Sequence, residues 1–397
     1  MPPERSKSSS HAVAYVAFGL CVLILWSSTE IGLGLLPSML NPGTIINLFY
    51  APPKTTPEEY EHYLSVRDGV LGWPSPLTTI ENLDSSGARV SPAFPAPGGE
   101  CVSLYGDSFT FGSEVNDEQA WGNVLARNLG CRVANFGVGG YGTDQAVIRF
   151  TENTKDSSSI TVLGIFADNL LRNVNQYRYF LTGGERFALK PRYVLQDNVL
   201  TISPLPKLSY SEFKEALANP QKSFWQHEFF LPDTNYGPTI WRFPYTWSFT
   251  KLLFSKKIWN LAVDTIRRVP SWTDFYKAGH PSRALETTVA IVEQFKKLAD
   301  SRGKSPIVIL FPTPASFNTF KNTGTSVFDP LTNRLQQKGI PVIDLTKDFA
   351  GYLRDKTFCD IVTLHDACVG HFDPEGNRIV AEIVARYIKL ENHSPNR

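Results

Sequence analysis

Residues 101–116 read CVSLYGDSFTFGSEVN, and this stretch decides how the rest of the chain is organised. Its first five residues form a short β-prone run that halts at Gly106-Asp107-Ser108, a turn sequence. A strand ending in a small residue, an acid and a serine has two readings. Ser108 is either part of a turn that caps a helix, or a hydroxyl held beyond the carboxyl end of a strand, where open α/β sheets bind ligands. The other segments of the chain decide between them.

EQAWGNVLARNLG (118–130) has helical apolar spacing and a stop at Gly130. CRVANFGVGG (131–140) is a short strand and turn, followed by a helix around 143–153. SITVLGIFADN (159–169), SPIVILFPTP (305–314) and IPVIDL (340–345) are nearly continuous apolar runs, and PEGNRIVAEIVARYIKL (374–390) is a last helix. Short apolar strands alternating with helices predict an α/β fold with a parallel sheet covered on both faces. Residues 174–300 interrupt the pattern and hold five of the eight tryptophans (Trp225, Trp241, Trp247, Trp259, Trp272), so they read as an insertion near the site. Residues 34–95, rich in Pro, Gly and Ser, read as a linker with little structure of its own.

With Lys+Arg at 39 and Asp+Glu at 38, the 397-residue chain carries a net charge of +1. It has no basic block, which argues against a nucleic-acid partner. It has neither a zinc-spaced Cys/His cluster nor a P-loop, so no metal or organic cofactor is implied. Hydrophobic residues make up 42% of the chain, enough for a sizeable core.

Arg5 and Lys7 precede an uncharged apolar run at 12–29 that IGLGLL, after Glu30, extends. This predicts a transmembrane anchor over 12–33 behind a cytoplasmic tail of residues 1–11, with the remainder extracytoplasmic. A cleaved signal peptide is the rival, and it exports the rest of the chain equally. Export makes the cysteines informative. Cys21 lies in the anchor, and Cys101, Cys131, Cys359 and Cys368 allow three pairings. Cys359 and Cys368 are close enough for a local staple; Cys101 and Cys131 each begin an apolar run and could face each other on neighbouring strands. Free buried thiols remain the alternative.

Four features fall at expected strand ends: Gly106-Asp107-Ser108; NFGVGGYGTDQ (135–145); FADNLLRNVN (166–175); and GHFDPEGNRIVAE (370–382), with His371 before the last helix. They complement one another chemically. A serine hydroxyl needs a base to become a nucleophile. His371 suits that role if an acid orients its imidazole. Backbone N–H groups at Ser108 and Gly140, with an Asn amide, suit the oxyanion of ester attack. Asp107 reads as a residue that bonds the turn backbone. Arg172 and Asn175 fit a pocket and a surface role equally.

These four blocks, in this order, resemble the SGNH/GDSL hydrolase superfamily over roughly 100–390. The resemblance implies a three-layer α/β/α flavodoxin-like fold in a domain spanning 96–390, with the insertion inside it. It implies nucleophile Ser108, base His371, and an oxyanion hole from the Ser108 and Gly140 N–H groups and Asn169. Gly139 and Asn173 are second choices. The family's acid usually stands three residues before the His, where this chain has Cys368. Asp366 is the choice made here, with Asp360 and Asp373 as alternatives. The anchor is also similar to that of bacterial envelope members, including alginate O-acetyltransferase-type proteins. The expected activity is serine esterase chemistry on an acyl ester, with an O-acetylated envelope glycan as the expected partner. The alternatives are O-acetyl transfer to a polysaccharide and non-catalytic glycan binding. The aromatic, basic stretch WRFPYTWSFTKLLFSKKIW (241–259) reads as a cap that stacks sugars, a membrane-interface segment, or an amphipathic helix packed on the core.

Overall fold

Val102–Tyr105 does form a strand, fully buried along its length, and it lies near the middle of a five-stranded parallel sheet. The computed structural model describes residues 8–392 except 42–44, 46–47, 76–82, 224, 268–269 and 355. Arg5 and Lys7, which carry the expected orientation, lie outside the described residues.

In chain order the elements used below are α1 (Ser8–Gly34), β1 (Phe49–Tyr50), α2 (Pro57–Val66), β2 (Val102–Tyr105), α3 (Ser108–Phe111), α4 (Trp121–Leu129), β3 (Val133–Asn135) and α5 (Thr143–Glu152). They continue with β4 (Ile160–Phe166), α6 (Asn169–Asn173), β5 (Arg192–Gln196), β6 (Val199–Ser203), β7 (Thr239–Ile240), α7 (Tyr245–Phe254) and α8 (Lys256–Arg267). The last are α9 (Ala284–Ser301), β8 (Ser305–Phe311), β9 (Val342–Asp344), β10 (Val362–Leu364), β11 (Val369–Phe372) and α10 (Pro374–Asn392).

The sheet runs β3-β2-β4-β8-β9, with every pairing parallel. Numbered within the sheet this is 2-1-3-4-5, the flavodoxin-like doubly wound order. Alternate side chains of each strand enter different cores. Val102, Leu104, Val162, Ile307 and Ile309 join one core, with residues of α4 and α10. Tyr105, Leu163, Ile165, Val308 and Leu310 join the other, with residues of α5 and α9. That two-sided burial explains the unbroken apolar runs of the sequence.

Two expectations need correction. Residues 34–95 are not a bare linker. Thr56 and Glu59 close a capping box on α2, and Tyr60 of α2 is wholly buried in the α5/α9-side core. β1 pairs in parallel with β7, which lies inside the insertion, so the two segments are knitted together. Stacking of Tyr60 on Phe213, ring centroids 4.9 Å apart, adds to the joint. The insertion also ends earlier than 300, because α9 is the crossover helix that leads into β8.

Among the described residues one helix, Val13–Gly34, is long and apolar enough to cross a membrane, one residue displaced from the expected 12–33. Disulfides join Cys101 to Cys131 and Cys359 to Cys368.

Candidate active site

The order 2-1-3-4-5 reverses direction between β2 and β4, and ligands of such sheets sit at that switch point. Ser108 follows β2 and Asn169 follows β4, so both stand there. Ser108 opens the single-turn helix α3. Asp107 caps this helix, its Oδ1 accepting the Phe109 N–H at 2.9 Å and the Thr110 N–H at 3.5 Å. The two readings are physically compatible: the cap fixes the turn, and the turn presents the hydroxyl. Burial pushes the Asp107 carboxyl above its ordinary value; the Arg172 guanidinium, 3.6 Å away, opposes that shift.

His371 Nε2 lies 2.8 Å from Ser108 Oγ. The imidazole rests on Phe109, ring centroids 4.9 Å apart, and Phe109 itself stacks on Phe166. His371 stands on β11, the second strand of the antiparallel β10–β11 hairpin, and Cys359–Cys368 ties the segment before β10 to the end of the connecting turn. The ring is thus packed from below and held by a stapled hairpin.

What faces the other ring nitrogen is Glu114 and not the expected Asp366. His371 Nδ1 lies 2.8 Å from Glu114 Oε1, at ion-pair distance though without the alignment of a hydrogen bond. Catalytic contacts are commonly misaligned before substrate binds. Glu114 Oε2 accepts the His371 backbone N–H at 3.2 Å and the Thr363 hydroxyl. Burial raises the Glu114 carboxyl, but these donors outweigh it and hold it below its ordinary value. Asp366 sits exposed in the β10–β11 turn, Asp360 caps the turn at Thr357, and Asp373 accepts the Gly376 N–H at 2.8 Å. Among the described residues none of these three aspartates is paired with His371.

Glu114 reaches the histidine through unusual backbone. Gly112 ends α3 in the left-handed region and Glu114 has φ +67°. For a residue with a Cβ this costs on the order of 1–3 kcal/mol, and such outliers gather at functional sites. Gly370, φ +100°, leaves the room: a Cβ there would lie 3.1 Å from Glu114 Oε2 and collide with Thr363 Oγ1.

The glycine block abuts the same turn. A Cβ on Gly137 would fall 2.5 Å from Phe111 N and 3.0 Å from Asp107 O, so only glycine permits this approach. Among the described residues, no acceptor takes the N–H of Ser108 or Gly140. Arg178 Nη1 donates to the Gly140 carbonyl at 2.9 Å and so fixes that peptide; burial pulls the guanidinium down to about 10. Trp73 and Pro74 pack over Gly140, a contribution from residues 34–95 that the sequence reading missed.

Asn169 is fully buried beside Asp107, and neither of its amide atoms has a hydrogen-bond partner among the described residues. A buried amide left unpaired is costly unless a ligand completes it. Asn173 is already committed, donating to Thr288 Oγ1 at 2.8 Å and accepting the Asp144 N–H at 3.3 Å. Arg172 pairs with Asp168 at 2.9 Å and donates to Tyr141 O; Asn175 donates to Tyr177 O and Glu228. Both are structural ties. Among the described residues no cluster of His, Cys, Asp or Glu is arranged to hold a metal ion.

No family model and no curated protein matches the sequence. Among solved structures the chain is similar to a protein assigned as lipolytic, of the G-D-S-L family, from Desulfitobacterium hafniense. The two are 15% identical with a TM-score of 0.35, over 72% of this chain and 97% of that one. A psychrotrophic esterase from Pseudoalteromonas sp., solved inhibited by monoethylphosphonate, is 8% identical with a TM-score of 0.36, over 74% of this chain and 98% of that one. An acetyl xylan esterase is 12% identical with a TM-score of 0.35, over 73% and 98%. At these scores the likeness carries no argument about fold or activity.

Proposed function

We propose that the protein is a serine ester hydrolase in which Ser108 is the nucleophile, His371 the general base and Glu114 the group that orients and charge-balances His371. One observation carries this: Ser108 Oγ and Glu114 Oε1 each lie 2.8 Å from opposite nitrogens of one imidazole. Ser108 Oγ attacks the ester carbonyl carbon while its proton passes to His371 Nε2. Glu114 steadies the imidazolium through Nδ1–H. The carbonyl oxygen becomes an oxyanion, received by the Ser108 and Gly140 N–H groups and Asn169 Nδ2. Such a donor is worth about 2.7–4 kcal/mol in the transition state. Collapse expels the alcohol, which takes the proton from Nε2. Water, deprotonated by the same nitrogen, then releases the acid and restores Ser108.

The alcohol side of the substrate we assign to carbohydrate and the acyl group to acetyl. The side chains of His371 and Glu114 are 23% and 45% exposed, which leaves the leaving-group side open to water and to a bulky hydrophilic chain. Location outside the cytoplasm is part of the same reading, supported by the apolar N-terminal helix and by two disulfides. Incubation with p-nitrophenyl acetate and with an acetylated glycan tests it. The wild type releases acetate from both and Ser108→Ala from neither; an active Ser108→Ala variant rejects the proposal. Adding an acceptor glycan separates hydrolysis from transfer, because only a transferase shifts acetyl from water to the acceptor.

A further inference from the structure

The helices α7 and α8 belong to the part of the insertion that ester chemistry leaves unused, and α7 is built against the N-terminal helix. Glu30, four residues before the end of α1, is buried. Its carboxylate caps α7: Oε2 accepts the Tyr245 N–H, and Oε1 accepts the Thr246 N–H at 3.1 Å and the Thr246 hydroxyl. A carboxylate in an apolar span is costly unless paired. At a helix N-terminus it meets unused N–H groups and the positive end of the dipole. Trp26 packs edge-on against Phe243, ring centroids 5.7 Å apart, and Tyr245 packs on Gly34. α7 is therefore fixed to the last turns of α1.

Those turns set its depth. Val13–Gly34 is 22 residues, about 33 Å of helix, against a hydrocarbon layer of about 30 Å. Trp26 to Gly34 covers about the final 12 Å. An element held there stands at the headgroup boundary when α1 spans.

The exposed side chains of the pair suit that boundary. Trp247 and Phe254, seven residues apart on α7, are 62% and 82% exposed. Trp259 and Ile266, seven apart on α8, are 60% and 80% exposed. Residues seven apart share a helix face. Arg242 and Lys256 are exposed beside them, and the Lys251 amine stands 5.9 Å over the Trp247 ring. Apolar and aromatic faces rimmed by Lys and Arg are the make-up of helices that lie in the interface plane.

We propose that α7 and α8 lie in the headgroup boundary of the bilayer that α1 crosses, so that the protein rests on a phospholipid surface at two adjoining places. The proposal rests on reading α1 as a span. It removes the free swing of the catalytic body about a single helix and fixes the height of the sheet edge over the membrane.

Spin labels on the full chain in phosphatidylcholine/phosphatidylglycerol nanodiscs test it. Native Cys21, the one free cysteine among the described residues, carries a label that reads the span. In a Cys21→Ser background, Phe254→Cys and Ile266→Cys read α7 and α8, and Lys338→Cys, on exposed surface, serves as the aqueous control. The expected result is faster collision with oxygen than with a nickel chelate at 21, 254 and 266, and the reverse at 338. Lipid signal at 21 with nickel access at 254 and 266 equal to that at 338 overturns the proposal and leaves the span intact. Protection of 254 and 266 from both reagents also overturns it, since protein then covers the face. Aqueous signal at 21 removes the span and the proposal together.

Discussion

Glu114 Oε1 lies 2.8 Å from His371 Nδ1, and the two residues are held together across 257 positions of sequence by two contacts of the same carboxylate, which also accepts the Thr363 hydroxyl. The carboxylate beside His371 thus comes from the segment just after Ser108, six residues on, and not from the segment around the histidine.

Replacing Glu114 should therefore damage catalysis without dismantling the fold. Glu114→Gln keeps the size of the side chain and removes its charge. The expected loss in kcat/KM for p-nitrophenyl acetate is on the order of 10⁴-fold, the size found when a histidine loses its orienting acid. Asp366→Asn is expected to retain nearly full activity. Equal losses in both variants would count against Glu114.

The same carboxylate makes stability depend on pH. Its folded pKa lies below the ordinary value of 4.5, so the unfolded chain takes up the proton first as pH falls. The contribution is fully present above the unfolded pKa and is lost as pH drops through the folded value. Thermal melts of wild type and Glu114→Gln should differ by a constant amount near neutrality and converge in acid below about pH 4.5. A gap that widens on acidification contradicts this.

Asn169 and Asn173 should separate function from structure. Asn169→Ala is expected to lower kcat by about 10²–10³-fold, the cost of one oxyanion donor, with little change in melting temperature. Asn173→Ala strands Thr288 Oγ1 and the Asp144 N–H. It should destabilise by about 1–3 kcal/mol. Parallel kcat and melting measurements on both variants check the division.

The Cys359–Cys368 staple closes the hairpin that carries Thr363 and His371. Closing so short a loop is worth about 2–3 kcal/mol in the chain-entropy model. Cys359→Ser with Cys368→Ser should cost about that in urea unfolding, and should also lower kcat by loosening both supports of the imidazole. A stability loss with unchanged kcat would show that the hairpin holds its shape without the bond.

Much of this was legible in the sequence. The apolar runs gave the parallel sheet because strands buried on both faces need no alternation, and the four blocks brought Ser108, the glycine turn, Asn169 and His371 to one edge. Glu114 escaped because sequence proximity to the histidine was the guide, whereas a carboxylate after Ser108 reaches it only through Gly112, a left-handed φ at Glu114 and the space at Gly370. None of those is a spacing rule. Residues 34–95 were misread on composition, although Thr56-Pro57-Glu58-Glu59 carried a capping-box signal for α2. That Trp73 covers Gly140 depends on a long-range contact with no local signature.

The central claim is that Ser108, activated by His371, is the nucleophile. Reaction of the purified full chain with a fluorophosphonate probe, followed by peptide mass mapping, tests it most directly. The account predicts one adduct, on Ser108, that disappears in His371→Ala. An adduct on another residue, or an esterase-active protein that takes no label at Ser108, contradicts it.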